Sequence, residues 1–244
     1  MNNLANESLA KIVKSNFRTA SVFEKYHLDF CCKGKRSLQQ ACDENHVSVN
    51  EVVSTLEEVI AGGNPIVDFD KYTVSALIDY IVNTHHAYVL NESPQLYTWL
   101  QKVAAKHGER HPEMLKVFSL FHEVKEELMH HMQKEELVLF PRIKELETLE
   151  KEGAHAIGRN HTYITAPVSM MEQEHEHAGE LLEQIRILTS NYTPPADACT
   201  TYRLSFASLQ AFEADLHQHV HLENNLLFSK AIALIEKLTQ SSAN

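Results

Sequence analysis

The sequence predicts an all-α protein: a small helical N-terminal unit followed by an up-down four-helix bundle. Three observations lead there. Only 7 glycines and 7 prolines occur in 244 residues, too few for the many turns of a sandwich or barrel. Apolar residues recur every three or four positions along four long stretches, the spacing of one helix face. One stretch also occurs twice. His131, Glu135, Leu139 and Phe140 return with the same spacing as His219, Glu223, Leu227 and Phe228.

Residues 1–60 read as the small unit. Leu4, Leu9, Ile12, Val13, Phe17, Val22, Phe23, Tyr26 and Leu28 suggest two short helices. Ser48-Val49-Asn50-Glu51 has the form of a capping box ahead of Val52, Val53, Leu56, Val59 and Ile60. Asp29-Phe30-Cys31-Cys32-Lys33-Gly34-Lys35 forms a loop, and its adjacent cysteines admit two readings. They are either partly buried thiols packing as small hydrophobes, or a reactive or metal-touching dithiol whose thiolates Lys33, Lys35 and Arg36 would favour. Ala61-Gly62-Gly63-Asn64-Pro65 then marks a linker over 61–69.

Residues 70–244 read as the bundle. The first helix carries the stripe Val74, Ile78, Val82, His85/His86 and Val89. The second, opened by Pro112, carries Val117, Phe121, Val124, Leu128, His131, Glu135 and Val138. The third carries Ile164, Val168, Met171, His175, Ala178, Leu182 and Ile185. The fourth follows Pro194-Pro195 and carries Ser205, Leu209, Phe212, Leu216, His219, Glu223 and Leu226. Loops near 150–160 and 190–196 separate the helices as an up-down bundle requires.

Each stripe takes a histidine into the interior, and two take a glutamate one turn later, where i and i+4 share a face. His86 precedes His131 by 45 positions and His175 precedes His219 by 44, so two related hairpins would offer four imidazoles and two carboxylates. A buried glutamate is costly unless paired or ligated, and two of them repel. Divalent cations remove that cost. Imidazole with carboxylate suits Fe, Mn or Zn. If two metals each take about six ligands, bridging carboxylates and a shared oxygen leave one open position per metal, the mark of a reactive site. His85 is the nearest substitute for His86. His130, His177, His217 and His221 fall off the stripes, and His107, His111 and His122 stand open as partners of the ligands, surface residues or an extra ligand, none of them taken as a primary ligand. Met132, Met170 and Met171 read as packing.

Charge and composition exclude other classes. A formal net charge of −11 without a basic tract argues against nucleic-acid binding. No apolar run is long enough to span a membrane, and the N-terminus has no secretory pattern. Cys31, Cys32, Cys42 and Cys199 do not form a secreted-type disulfide framework. A cytoplasmic protein is expected.

At these residues the sequence resembles the hemerythrin-like His/Glu cation-binding bundles, and more closely the di-iron proteins of the repair-of-iron-centres family. The shared features are Asp29-Phe30-Cys31-Cys32-Lys33-Gly34, His131-x-x-x-Glu135 with Leu139-Phe140-Pro141, Met171-Glu172-x-Glu174-His175 with Ala178-Gly179-Glu180-Leu181-Leu182, and His219-x-x-x-Glu223-Asn224-Asn225-x-Leu227-Phe228. The resemblance implies two Fe ions in a non-haem, oxo- or hydroxo-bridged centre. His86, His131, His175 and His219 would be terminal ligands, with Glu135 and Glu223 as bridges. It also implies repair of iron–sulfur clusters damaged by oxidants or nitric oxide, by donating iron to damaged iron–sulfur proteins. The expected small-molecule ligands are NO and O2, and the small unit is the expected seat of homodimerisation.

The oxygen-carrying hemerythrins place a further histidine one turn after the third-helix ligand, where this chain has Gly179. That departure argues against simple oxygen carriage and for a more open centre. Two ferrous ions against two carboxylates leave the site short of neutrality, which favours release. Beside this reading stand an O2 or NO sensor or carrier, an enzyme reducing nitric oxide to nitrous oxide, and a helical interaction module with incidental histidines.

Overall fold

The first helix starts where Ser8 accepts a hydrogen bond from the Lys11 N–H, satisfying one of the donors that every helix start leaves open. This computed structural model describes residues 4–62, 68–156 and 159–240, which contain helices and no strand. Part of the predicted linker, residues 63–67, lies outside them. The small unit contains α1 (Leu9–Ser15), α2 (Ala20–Lys25), α3 (Leu38–Glu44) and α4 (Val49–Ala61). Its core gathers Leu9, Ile12, Val13, Phe23, Leu28, Phe30, Leu38, Val52 and Leu56.

Two expectations for this unit change. The helix α3 is additional, and the capping box belongs to it: Ser37 Oγ accepts from Gln40 N at 3.2 Å while Gln40 Oε1 accepts from Ser37 N at 3.0 Å. Ser48 makes no side-chain cap. The Glu51 carboxylate, which would have to reach back, instead accepts the Tyr26 hydroxyl at 2.9 Å.

The bundle helices are interrupted more than their periodicity suggests. The first runs through α5 (Val74–Ile81), a π-helical turn at Val82–His86, and α6 (Ala87–His107). The second joins α7 (Glu113–Lys134) to α8 (Phe140–Lys151) through a π turn at Glu135–Leu139. The third, α9 (Thr162–Leu188), has none. The fourth joins α10 (Thr200–Leu222) to α11 (Phe228–Gln240) through a π turn at Glu223–Leu227. Helix α7 packs on α6 and α9, and α6 on α10, while α8 packs on α5 and α11.

A π turn holds one residue more than an α turn, so the apolar stripe slips by one position beyond it. Val138, expected inside, is 42% exposed, and Leu139 takes its place in the core. The apolar interior forms two clusters. One contains Val89, Leu96, Val117, Phe121, Leu128, Ala178, Leu182, Phe212 and Leu216. The other contains Leu77, Ile81, Leu139, Phe140, Ile164, Met171, Leu226 and Phe228. Between them, on every bundle helix, lie the buried histidines and glutamates. Met132 and Met171 pack in these cores, whereas Met170 is exposed.

The small unit docks on the bundle through Phe17 against Phe69, with ring centroids 5.2 Å apart, and Phe30 against His221 at 5.6 Å. Polar ties add Glu24 to His217 at 2.7 Å and Asn225 Nδ2 to the Cys31 carbonyl at 3.1 Å.

Candidate metal centre

The structure brings all six predicted residues to one height in the bundle. His86, Glu135, His219 and Glu223 offer ligand atoms within 4.8 Å of one another, and so do His131, Glu135, His175 and Glu223. Both carboxylates belong to both sets. All six side chains are buried, and Glu135, Glu223 and His219 have no exposure at all.

Three of these residues sit where helices change winding. His86 closes the first π turn, and Glu135 and Glu223 open the other two. The i+4 pairs converge despite the altered turns: His131 Nε2 lies 3.3 Å from Glu135 Oε2, and His219 Nε2 lies 2.9 Å from Glu223 Oε1. Across the bundle, His86 Nε2 is 3.4 Å from Glu135 Oε2, and His175 Nε2 is 3.1 Å from Glu223 Oε2. Several of these contacts are electrostatic without hydrogen-bond alignment, so both oxygens of Glu135, Oε2 of Glu223 and Nε2 of His86 are buried without a hydrogen-bond partner among the described residues. Buried polar atoms left this way are destabilising, and here they face a common space ringed by imidazoles. That donor set fits divalent cations of the Fe, Mn or Zn type.

Outer partners aim the rings. The Nδ1 atoms of His86, His131 and His175 meet Glu136 Oε1 at 2.8 Å, Glu174 Oε2 at 2.9 Å and Asn224 Oδ1 at 2.9 Å. Such partners fix the tautomer that leaves Nε2 free to bind a metal. Glu174 also pairs with Lys134. Bonded to His131, it is held down to about 2 despite partial burial. His219 Nδ1 has no hydrogen-bond partner among the described residues. Its ring stacks on His85, with centroids 5.6 Å apart.

Electrostatics follow from burial and proximity. Burial works against ionising Glu223, yet His219, His175 and His86 hold it well below the ordinary carboxylate range. Burial and Glu223 oppose ionisation of Glu135, and His131 and His86 prevail. Burial likewise opposes protonation of His86 and His131, but the carboxylates raise both to about 10. Protons thus stand in for cations, and metal entry would expel them.

The off-stripe histidines take other places. His85 is buried with Nδ1 3.0 Å from Asp215 Oδ1. His221 is buried against Phe30, and burial takes it down to about 4. His111 meets Asp197 at 3.0 Å and, like His107, packs on Tyr202, while His122 packs on Tyr97. Sequence reading missed Glu136, Glu174 and Asn224. Their signals were adjacency to Glu135, His175 and Glu223 and, for Glu174 and Asn224, a place in the shared motifs.

Two clefts reach the centre. One, of about 260 Å³, runs between the small unit and the bundle from Cys31 and Cys32 to His175 and Gly179. The other, of about 340 Å³, is lined by Glu127, Lys134, Glu174 and His177, with His131 and His175 at its inner end. A β-carbon at Gly179 would meet nothing within 4 Å, which agrees with an open approach. Cys32, burial and Asp29 push the Cys31 thiol well up, and Lys33 and Lys35 are exposed.

A buried slab of imidazoles and carboxylates across a helical bundle defines a cation-binding protein. Residues 77–231 match the hemerythrin HHE cation binding domain, and residues 5–60 match ScdA_N, a domain of unknown function (DUF542). Iron-sulfur cluster repair protein YtfE of Enterobacter sp. (strain 638) is 36% identical over 232 residues, covering 93% of this chain and 97% of its own. Its counterpart in Escherichia coli O157:H7 is 35% identical over 231 residues, again covering 93% and 97%. The probable iron-sulfur cluster repair protein of Haemophilus influenzae is 32% identical over 230 residues with the same coverage. The chain belongs to the hemerythrin-like family of iron–sulfur cluster repair proteins.

Proposed function

We propose that this protein holds two iron ions between His86, His131, His175, His219, Glu135 and Glu223, and repairs iron–sulfur clusters damaged by oxidative or nitrosative stress by donating that iron. The observation that carries the reading is the sharing of Glu135 and Glu223 by both four-residue donor sets, which suits a pair of cations rather than one. Bound there, iron supplies the cargo for rebuilding a cluster. The chain's own residues do the rest: the buried rings exclude bulk water, Glu136, Glu174 and Asn224 fix their orientation, and the two clefts give access to His131 and His175.

Partial neutralisation favours release. Two carboxylates against two ferrous ions leave positive charge in a water-poor layer, and like charges there interact strongly. The cysteines are free, as suits a reducing compartment such as the cytoplasm. No described helix is long and apolar enough to cross a membrane.

The test combines iron quantification and Mössbauer spectroscopy with transfer. Wild type should carry two coupled irons and restore activity to a cluster-damaged dehydratase, and Glu135→Ala should do neither. A ferrous chelator should strip the reduced protein faster than the oxidised one. Cluster recovery equal with wild type and Glu135→Ala would reject donation from this centre.

A further inference from the structure

Asp29, Cys31 and Cys32 bring a carboxylate oxygen and two sulfurs within 4.8 Å of one another, at the joint between the small unit and the bundle. Cys31 is buried, Cys32 and Asp29 are half-buried, and both thiols are free. Their sulfurs are 3.8 Å apart, and Cys31 Sγ lies 3.2 Å from Asp29 Oδ1. Two sulfurs each about 2.3 Å from one tetrahedral ion are themselves about 3.8 Å apart. A disulfide would need them at about 2 Å. The two thiols are therefore unbonded, in contact, and at a separation that one ion could span.

The loop is built to keep that spacing. Asp29 Oδ1 accepts the N–H groups of Cys31, Cys32 and Lys33 at 3.1, 2.9 and 3.3 Å. From the bundle side, Asn225 Nδ2 donates to the Cys31 carbonyl at 3.1 Å. Arg36 donates to the Asp29 carbonyl at 3.4 Å. Both edges of the dithiol turn are thus tied to neighbouring structure, so little ordering remains when an ion arrives.

We propose that Asp29, Cys31 and Cys32 form a second metal site, taking one thiophilic divalent cation and separate from the six-residue centre. A sulfur pair selects soft ions over magnesium or calcium. On binding, two S–H bonds break, two metal–sulfur bonds form and two protons leave to solvent, with no electron transferred. The chain supplies three donors where a closed structural site has four. The fourth position faces the cleft whose far wall holds His175 and Gly179, so the ion stays exchangeable. The site stands on its own donors, whichever ion the bundle holds.

The test titrates the full-length chain with Co2+ in a Cys199→Ser background, which removes the exposed thiol. One equivalent should bring in a thiolate-to-cobalt charge-transfer band in the near ultraviolet, and prior Zn2+ should suppress it. The additional Cys31→Ser/Cys32→Ser pair should abolish the band while the bundle, which has no sulfur donor, still takes up cobalt. Cys32→Ser alone, at the half-buried position, should weaken the band and remove Zn2+ protection of Cys31 from alkylation. No charge-transfer band at saturating Co2+, or a band that survives loss of both cysteines, overturns the site.

Discussion

His131 and His175 meet through their ring nitrogens: Nε2 of one lies 2.9 Å from Nε2 of the other, although they stand on different helices. Two imidazole nitrogens bound at right angles to one ion, each about 2.0 to 2.1 Å from it, are separated by about 2.9 Å. The approach is imposed from outside, by Glu174 on one ring and Asn224 on the other. An orientation held this way should be measurable in metal affinity.

Asn224→Ala removes the acceptor for His175 Nδ1 without touching a donor atom. Metal affinity should fall about 10–100-fold, the usual effect of losing such a partner. Chelator competition reads the change, with far-ultraviolet circular dichroism unaltered. Undiminished affinity would show that packing alone aims the ring.

Cation binding should also stabilise the fold. A ligand at a thousand times its Kd contributes about 4 kcal/mol, which in a chain of this length corresponds to a Tm rise of roughly 8–16 °C. Scanning calorimetry on loaded and stripped protein checks this. Coincident transitions would mean that folded and unfolded chains hold the metal equally.

Gly179 lies inside α9, in space that a methyl group can enter freely. Gly179→Ala should therefore stabilise the protein by about 0.5–1 kcal/mol, the helix-propensity difference, with metal content unchanged. Urea unfolding measures it. A loss of stability would reveal a close approach at this face.

Glu213 gives a pH-dependent test away from the centre. Burial pushes its carboxyl up, only partly offset by Arg186, His217 and its bond to Tyr192. The folded chain then holds this proton more tightly than the unfolded chain, so ionisation costs stability as pH rises. Glu213→Gln keeps an acceptor for the Tyr192 hydroxyl and should raise Tm at neutral pH. The gain should vanish below the ordinary carboxylate range. A gain that does not depend on pH would contradict this.

Much of the centre was legible because its donors obey helical periodicity: His131 and Glu135, like His219 and Glu223, share a face whatever their distant neighbours do. The π turns were not legible. An extra residue per turn arises from a shifted hydrogen-bond ladder, which leaves no mark in composition, so Val138 and Leu139 could not be told apart. Ser37-Leu38-Gln39-Gln40 and Ser48-Val49-Asn50-Glu51 share one capping pattern, but in the second the Glu51 carboxylate is taken up by Tyr26, distant in sequence. The ring-aiming bonds of Glu136, Glu174 and Asn224 likewise depend on which helices become neighbours.

The polar layer divides the bundle's apolar interior into two clusters, so a cation bound there would act as a rivet between the two halves. Handing the cargo away would loosen that fastening. Hydrogen exchange should then quicken first at Val82–His86, Glu135–Leu139 and Glu223–Leu227, making stiffness itself a gauge of how full the protein is.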